Sequence, residues 1–336
     1  MIGCISVIVP CYRQAHYLRD CIASLQQQTY TDWEAIVVDD GSPDDTEQVV
    51  RELAREEPRL RYVRKPNGGL SSARNAGIAV ARGAALQFLD ADDLLQPNKL
   101  QQQADVLERH ADVDVVYGSA RYFRDEAPRD LSFGMYARGP DHDWIQENWL
   151  GWQSKAPGFV HRNLFPVCSP LLRRSVVDRV GLFDCELPAL EDWDFWWRCE
   201  LQSVRFAYCP ADQSHALVRM HGTSMTHESP RIKQAYLRLR RKHLNSLPAG
   251  PLRDHHLDEL LRATVEASKA GEPGLIWPLL LSVGNARERL QAVVYLGLHH
   301  NWMGRRVFHR VCALLPWRVR QWLGASLGLR AVRTLR

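Results

Sequence analysis

Two hydrophobic rhythms alternate along the first third of the chain. Residues 5–10 (ISVIVP) form an unbroken β-branched run closed by proline, and residues 16–28 (HYLRDCIASLQQQ) space their apolar positions three and four apart. The pairing recurs at 34–42 (EAIVVDDGS) with 44–56 (DDTEQVVRELARE), and at 60–65 (LRYVRK) with 70–82 (LSSARNAGIAVAR) after a PNGG turn. It appears again at 84–90 (AALQFLD) with 96–110 (QPNKLQQQADVLERH), and 113–123 (VDVVYGSARYF) adds another strand. Short apolar strands separated by helices predict an α/β fold with a mainly parallel sheet covered on both faces. Ligands of such sheets sit at the carboxyl ends of the strands. Pro10-Cys11-Tyr12, Asp39-Asp40 and Asp90-Ala91-Asp92 all fall at strand ends, so three polar clusters converge on one rim.

From 124 to 165 the periodicity fails and aromatics accumulate: Phe133, Tyr136, Trp144, Trp149, Trp152 and Phe159. A mixed segment (170–203) and two strand-like runs, 204–210 (VRFAYCP) and 215–226 (HALVRMHGTSMT), follow. Beyond Pro230 the pattern is largely helical. The 336 residues are enough for one large domain with an appendage or for two modest ones. The expected division is a sheet domain at 1–228 and a mainly helical, basic region at 229–336.

Composition narrows the class. The chain is 45% hydrophobic and 24% charged, ordinary for a soluble globular protein. Its net charge of +4 is unevenly spread: Arg289 to Arg336 holds nine arginines and no acidic residue. The eight cysteines show no CxxC pair and no metal-finger spacing, which argues for reduced thiols in a cytosolic setting. The opening MIGCISVIVPCY has no basic leader, and the longest apolar run, LIWPLLLSV (275–283), is too short to span a bilayer. The expectation is a cytoplasmic protein, neither secreted nor membrane-spanning.

The sharpest chemical signal is LQFLDADDLLQP (86–97), where Asp90, Asp92 and Asp93 gather as a strand leaves the core. Clustered carboxylates need a positive partner, and a hard divalent cation, Mg²⁺ or Mn²⁺, prefers oxygen ligands and leaves positions open for phosphates. The alternative is an acidic turn capping the helix at 96. A calcium loop is excluded because the D-x-D-x-D-G continuation is missing.

In its context this motif resembles the family 2 glycosyltransferases. Four stretches carry the resemblance, in the family's order across residues 4–226: VIVPCYRQAHYLRDCIASLQQQTYTDWEAIVVDDGSPDDT, PNGGLSSARNAGIAVARGAALQFLDADD, VGLFDCELPALEDWDFWWR and VRMHGTSMT. The resemblance implies the GT-A fold, a Rossmann-like, mainly parallel sheet, here with a C-terminal helical extension. It implies a nucleotide-diphosphate sugar donor, with Pro10 and Tyr12 beside the base and ribose, Asp40 accepting the uracil N–H, and Asn67 approaching the base. Arg74 would reach the rim acids or the diphosphate, with a salt bridge to Asp90 as its plainer role. Asp90 would contact ribose or metal-bound water, Asp92 would be the main metal ligand, and His221 would reach the metal or diphosphate. Asp93 would cap the following helix, and Ser224 and Thr226 would bond phosphate.

In EDWDFWWR (191–198) the resemblance makes Asp192 the general base and assigns Glu191 to orienting the acceptor or the base. Asp194 is spaced to pair with Arg198 one turn on. The helix holds more aromatics than one core stripe needs, so Trp193 is assigned to the acceptor, while Trp196 and Trp197 suit core packing. Trp144, Trp149 and Trp152 either stack on acceptor sugars or pack their own segment.

The expected activity is inverting, metal-dependent transfer of a sugar, from UDP in the leading reading, to a hydroxyl of a glycan or lipid-linked acceptor in cell-surface polysaccharide synthesis. The basic, tryptophan-bearing tail (303–336) suggests peripheral contact with an anionic membrane at its cytoplasmic face, against a plain helical cap. Nucleic acid is not expected as a partner, since no recognition motif accompanies the charge. Two rivals stand beside this reading. A sugar nucleotidyltransferase would need a glycine-rich loop that PCYRQAHY lacks, and an inactive nucleotide-sugar-binding scaffold would be expected to have lost one of Asp90, Asp92 or Asp192.

Overall fold

A computed structural model describes residues 2–132, 158–210, 214–222 and 230–269. The aromatic candidates Phe133, Tyr136, Trp144, Trp149 and Trp152, the phosphate candidates Ser224 and Thr226, and the 303–336 tail lie outside these residues. The chain divides into two units, Met1–Ile232 and Lys233–Arg336.

The first unit is built on seven strands. β1 (Ile5–Cys11), β2 (Trp33–Asp39), β3 (Leu60–Arg64), β4 (Ala85–Phe88), β6 (Val115–Gly118), β9 (Leu171–Arg173) and β10 (Phe206–Cys209) order as β10-β6-β9-β4-β1-β2-β3. All pairings are parallel except those of β9, which runs antiparallel between β4 and β6. β1 and β2 are buried at every position, the mark of strands covered on both faces. Ile5, Val7, Ile8 and Val9 are fully enclosed, each worth about 1.5–3 kcal/mol of transfer free energy.

The helices cover the sheet with the stripes their spacing predicts. α1 (Leu18–Gln26) follows a single 3₁₀ turn (Ala15–Tyr17) and turns Leu18, Cys21, Ile22 and Leu25 inward. α2 (Thr46–Glu56), α3 (Leu70–Val80), α4 (Lys99–Arg109), α5 (Arg174–Val180) and α6 (Glu191–Leu201) follow in turn. In the second unit α7 (Pro230–Leu244), which begins just before the division, is followed by α8 (Pro251–Lys269). There the His256 ring accepts from the Arg240 guanidinium at 2.9 Å and meets the Arg240 carbonyl at 2.5 Å through its other nitrogen. Both side chains are buried.

Two features depart from the pattern reading. The single strand expected at 113–123 is two: β6 ends at Gly118, and β7 (Ala120–Arg124) belongs to a second sheet. Ser119 marks the switch, buried against the Tyr208 hydroxyl at 2.7 Å. The second sheet orders as β5-β11-β7-β8, with β5 (Leu94–Leu95), β11 (Ala216–Arg219) and β8 (Ala127–Ser132). β5 and β9 are two and three residues long, too short to leave a periodicity.

Gly83 shows how tightly the connection into β4 packs. A Cβ there would sit 2.5 Å from the Ser6 nitrogen and 2.6 Å from the Cys4 carbonyl, both backbone atoms of or beside β1. The Gly83 N–H also donates to the Ser6 hydroxyl at 2.8 Å. Gly83→Ala is therefore expected to destabilise the first unit by about 1–3 kcal/mol, read as a lowered midpoint in chemical denaturation. An unchanged midpoint would show that the β1 edge yields without cost.

Candidate active site

Parallel pairing brings the ends of β1, β2 and β4 to one edge, and Arg74 links that edge to α6. Arg74 projects from α3 and is 1% exposed. Its Nη2 donates to Asp90 at 2.7 Å and its Nη1 to Glu191 at 2.5 Å. Burial by itself would favour losing the proton, but Asp90 and Glu191, with Asp192 beyond them, hold the guanidinium charged. Of the roles considered for Arg74, the salt bridge to Asp90 is the one seen, extended to Glu191; both terminal nitrogens are committed to protein carboxylates.

Asp92 lies one turn on. Its Oδ2 accepts from Gln14 Nε2 at 2.8 Å and faces His221 Nε2 at 2.9 Å. Burial, reinforced by Asp90, raises the Asp92 carboxyl above its ordinary value, while the contact with His221 pulls the other way. Asp93 is not a helix cap. It is buried, and its Oδ1 accepts the Arg219 backbone N–H at 3.0 Å, tying the acidic turn to β11. Burial and its two aspartate neighbours push its carboxyl far up.

The base candidate, Asp192, occupies the first turn of α6. The preceding Leu190 holds φ 60°, ψ 23°, a left-handed conformation that costs a non-glycine residue about 1–2 kcal/mol. Through it the chain turns abruptly into the helix, presenting Glu191 to Arg74. Asp192 is half-buried and accepts from Asn163 Nδ2 at 2.8 Å and from the Trp193 backbone N–H at 2.7 Å. Its enclosure and the adjacent Glu191 raise its carboxyl to about 6, against the opposing pull of Arg74 and Asn163. Asp194 pairs with Arg198 at 2.8 Å as their spacing predicts.

Trp193 is the residue expected to face the acceptor. It is 7% exposed, and its indole N–H donates to the Phe159 carbonyl at 2.6 Å. Phe195, Trp196 and Trp197 are wholly buried, Phe195 stacked on Phe183 at 4.7 Å and Trp196 edge-on to Phe165 at 5.4 Å. The aromatic surplus of this helix is core, because the helix is buried around most of its circumference.

At the ends of β1 and β2, Pro10 is buried within β1 and Tyr12 lies exposed just past its end, with the Arg13 guanidinium 5.2 Å from its ring centre. Asp40 is 4% exposed and its carboxylate is already engaged: Lys65 Nζ at 2.5 Å, Gly68 N–H at 3.0 Å and Gly69 N–H at 2.8 Å. Asn67 Nδ2 donates to the Asp40 carbonyl at 2.9 Å. Asp40 and Asn67 thus fold the PNGG turn onto the end of β2. Asp39 accepts from the Ser42 N–H at 2.7 Å and the Tyr62 hydroxyl at 2.6 Å.

Four residues of this constellation escaped the sequence reading: Gln14, Asn163, Lys65 and Arg219. Gln14 and Asn163 sit in irregular segments with nothing to single them out. Arg219 lies inside the strand-like run 215–226, and the acidic turn it meets is 126 positions earlier, so nothing local marked it.

Residues 6–176 match the family described as Glycosyl transferase family 2. The chain belongs to that family. It is 31% identical over 201 residues to an uncharacterized glycosyltransferase of Rickettsia prowazekii, covering 58% of this chain and 58% of the relative. The chain thus spans little more than half the length of that relative. Among solved structures, TarS 1–349 of S. aureus in complex with UDP aligns with a TM-score of 0.58 and 22% identity over 93% of this chain and 83% of that one. A mannosyltransferase of Pyrobaculum calidifontis in complex with GDP-Man and Mn²⁺ aligns with a TM-score of 0.54 and 19% identity, covering 98% and 82%. These likenesses establish the GT-A fold.

In this glycosyl transferase family 2 chain, a divalent cation is compatible with the Asp92–His221 pair. The two side chains converge to 2.9 Å and offer an oxygen and a nitrogen, with the Asp90 carboxylate two residues away in the chain. No trio of His, Cys, Asp or Glu side chains able to hold a metal is gathered among the described residues. That donor set suits an ion that completes its shell with water and substrate oxygens.

Asn163 supplies the hydrogen bond that favours ionised Asp192. Asn163→Ala is therefore expected to raise the Asp192 carboxyl above about 6 by roughly one unit, since a bond to a charged group is worth about 1.5 kcal/mol. Carboxyl ¹³C NMR titration checks this, and an unmoved or lowered value would remove Asn163 from the site.

Proposed function

We propose that this protein is an inverting glycosyltransferase that moves a sugar from a nucleotide-diphosphate sugar to an acceptor hydroxyl, with Asp192 as general base. The observation that carries the reading is Arg74, whose two nitrogens bind Asp90 and Glu191 and so hold the acidic turn and the start of α6 side by side. One clamp joins a donor half to an acceptor half.

On the donor side, Asp92 and His221 would hold Mg²⁺ or Mn²⁺, with Asp90 beside the ribose or metal-bound water. When bound, that ion supplies positive charge for the departing diphosphate. Pro10 and Tyr12 bound the nucleotide pocket, and Asp40 and Asn67 shape the PNGG turn that approaches the base. UDP is the favoured carrier, supported by the UDP complex of the structurally similar TarS.

On the acceptor side, Asp192 takes the proton from the acceptor hydroxyl. The oxygen forms a bond to the anomeric carbon as the bond from that carbon to the diphosphate oxygen breaks, and the nucleoside diphosphate leaves from the opposite face. A carboxyl raised to about 6 suits this role: it is mostly ionised at pH 7 yet more basic than a surface aspartate. Glu191, fixed by Arg74, keeps α6 in register and sustains the raised value of Asp192. Trp193 contributes indirectly, by anchoring the Phe159 backbone against that helix. The acceptor in this reading is a glycan or lipid-linked glycan. The nine arginines from Arg289 onward support peripheral contact with an anionic membrane, and among the described residues no helix is long and apolar enough to cross one.

Two experiments test the reading. Calorimetric titration with UDP is expected to give micromolar, Mn²⁺-dependent binding that Asp92→Ala abolishes; no binding of UDP, dTDP or GDP with or without the ion would overturn it. Asp192→Asn is expected to lower kcat by roughly 10²–10⁴-fold with donor affinity retained. The unmodified enzyme should lose activity as pH falls through about 6, because the base becomes protonated there. A flat profile between pH 5 and 8 would exclude Asp192 as base.

A further inference from the structure

Arg219 is the last residue of β11 and, at 6% exposed, one of the few buried cations in the first unit. Every part of it is engaged. Its backbone N–H donates to Asp93 Oδ1 at 3.0 Å and its Nε donates to the Asp92 carbonyl at 2.8 Å. Nη2 reaches Asp20 on α1 at 3.1 Å, and Nη1 is bonded to Asp125 in the turn between β7 and β8. The guanidinium plane lies 4.6 Å from the ring centre of Tyr17 and 4.8 Å from that of Phe123. The Tyr17 ring in turn packs on His221 at 5.2 Å. Each of its three side-chain nitrogens is bonded within the protein.

We propose that Arg219 is a positioning residue that holds the Asp92 carboxylate opposite His221, and so sets how the donor and its cation are received. The inference rests on the functional reading above. Its physical basis is that Asp92 and His221 come from different elements of the chain, 129 positions apart. Arg219 joins them: it bonds the backbone of the acidic turn, stands two residues before His221, and packs the ring that supports His221. Asp20 and Asp125 fix the guanidinium from two further segments, which leaves it little freedom to follow a shifted turn. A guanidinium has the several donors in one plane that this needs, and a lysine ammonium does not.

The test uses the full chain, with Mn²⁺ and UDP as probes, and compares unmodified protein, Arg219→Met, Arg219→Lys and Asp125→Asn. UDP affinity is measured by calorimetry with and without Mn²⁺, and Mn²⁺ alone by electron paramagnetic resonance, after thermal unfolding confirms a folded protein. The expected result is that Arg219→Met keeps its metal-free UDP affinity within about twofold while the enhancement by Mn²⁺ falls at least tenfold. Arg219→Lys should restore only part of it. Asp125→Asn leaves Arg219 in place and loosens one tether, so it should lose severalfold, which keeps the inference testable if Arg219→Met does not fold. A purely structural role would lower the unfolding temperature and weaken UDP binding equally with and without Mn²⁺, and that result overturns the proposal. So does wild-type Mn²⁺ enhancement in folded Arg219→Met, or in Asp125→Asn where Arg219→Met does not fold. If the unmodified protein binds UDP with no enhancement by Mn²⁺, this inference alone falls; if it binds none of UDP, dTDP or GDP with or without the ion, the functional reading fails and this inference falls with it.

Discussion

The pairing of buried carboxylates with buried arginines is the constraint on which the rest of this site depends. Asp90, Asp92 and Asp93 leave β4 within four positions, and Glu191 and Asp192 approach them from α6. Enclosing that much negative charge without compensation would cost several kcal/mol per group or force the carboxyls to stay protonated. Arg74 answers it from one side by side-chain ion pairs to Asp90 and Glu191, and Arg219 supplies hydrogen bonds from the other, its guanidinium to the Asp92 carbonyl and its backbone N–H to the Asp93 carboxylate. Removing Arg74 would leave Asp90 and Glu191 without their cation, so Arg74 governs charge as well as geometry, while Arg219 governs geometry.

The compensation is uneven, and the unevenness is chemically useful. Arg74 bonds Asp90 and Glu191 directly but acts on Asp192 only at a distance, where burial and Glu191 prevail and leave a carboxyl near 6. Asp92 is likewise left with a raised value, bonded to Gln14 and facing His221. Asp92 and Asp192 thus keep raised values beside Asp90 and Glu191, which share the single positive charge of Arg74. The left-handed turn at Leu190 is a strained conformation at the same place, and strain of this kind persists where surrounding contacts over-determine it.

Much of this was legible in the linear chain. Runs such as ISVIVP and EAIVVDD announce strands covered on both faces, because a fully buried strand has no polar side to show. The acids at 90–93 were visible as a cluster, while Glu191, Asp192 and His221 were picked out by the resemblance to the family. Less legible were the elements that depend on a partner. β9 is three residues long and exists because β4 and β6 flank it. The break at Ser119 sends one continuous apolar run into two sheets, which no local pattern encodes. The aromatics of α6 read as a surplus because a helix buried nearly all round loses the polar face that periodicity relies on.

The sequence by itself determined the fold class, the order of the elements and the kinds of side chain gathered at strand ends, since these follow from hydrophobic period, turn chemistry and local charge. Tertiary structure alone decided what each of those side chains does. It committed Arg74 to Asp90 and Glu191, engaged Asp40 with Lys65 and the PNGG amides, turned Trp193 to the Phe159 carbonyl, and drew Arg219 under a turn more than 120 positions earlier. The physical reason is that a polar group's role is set by which partners burial leaves within hydrogen-bonding reach, and those partners are remote in the chain.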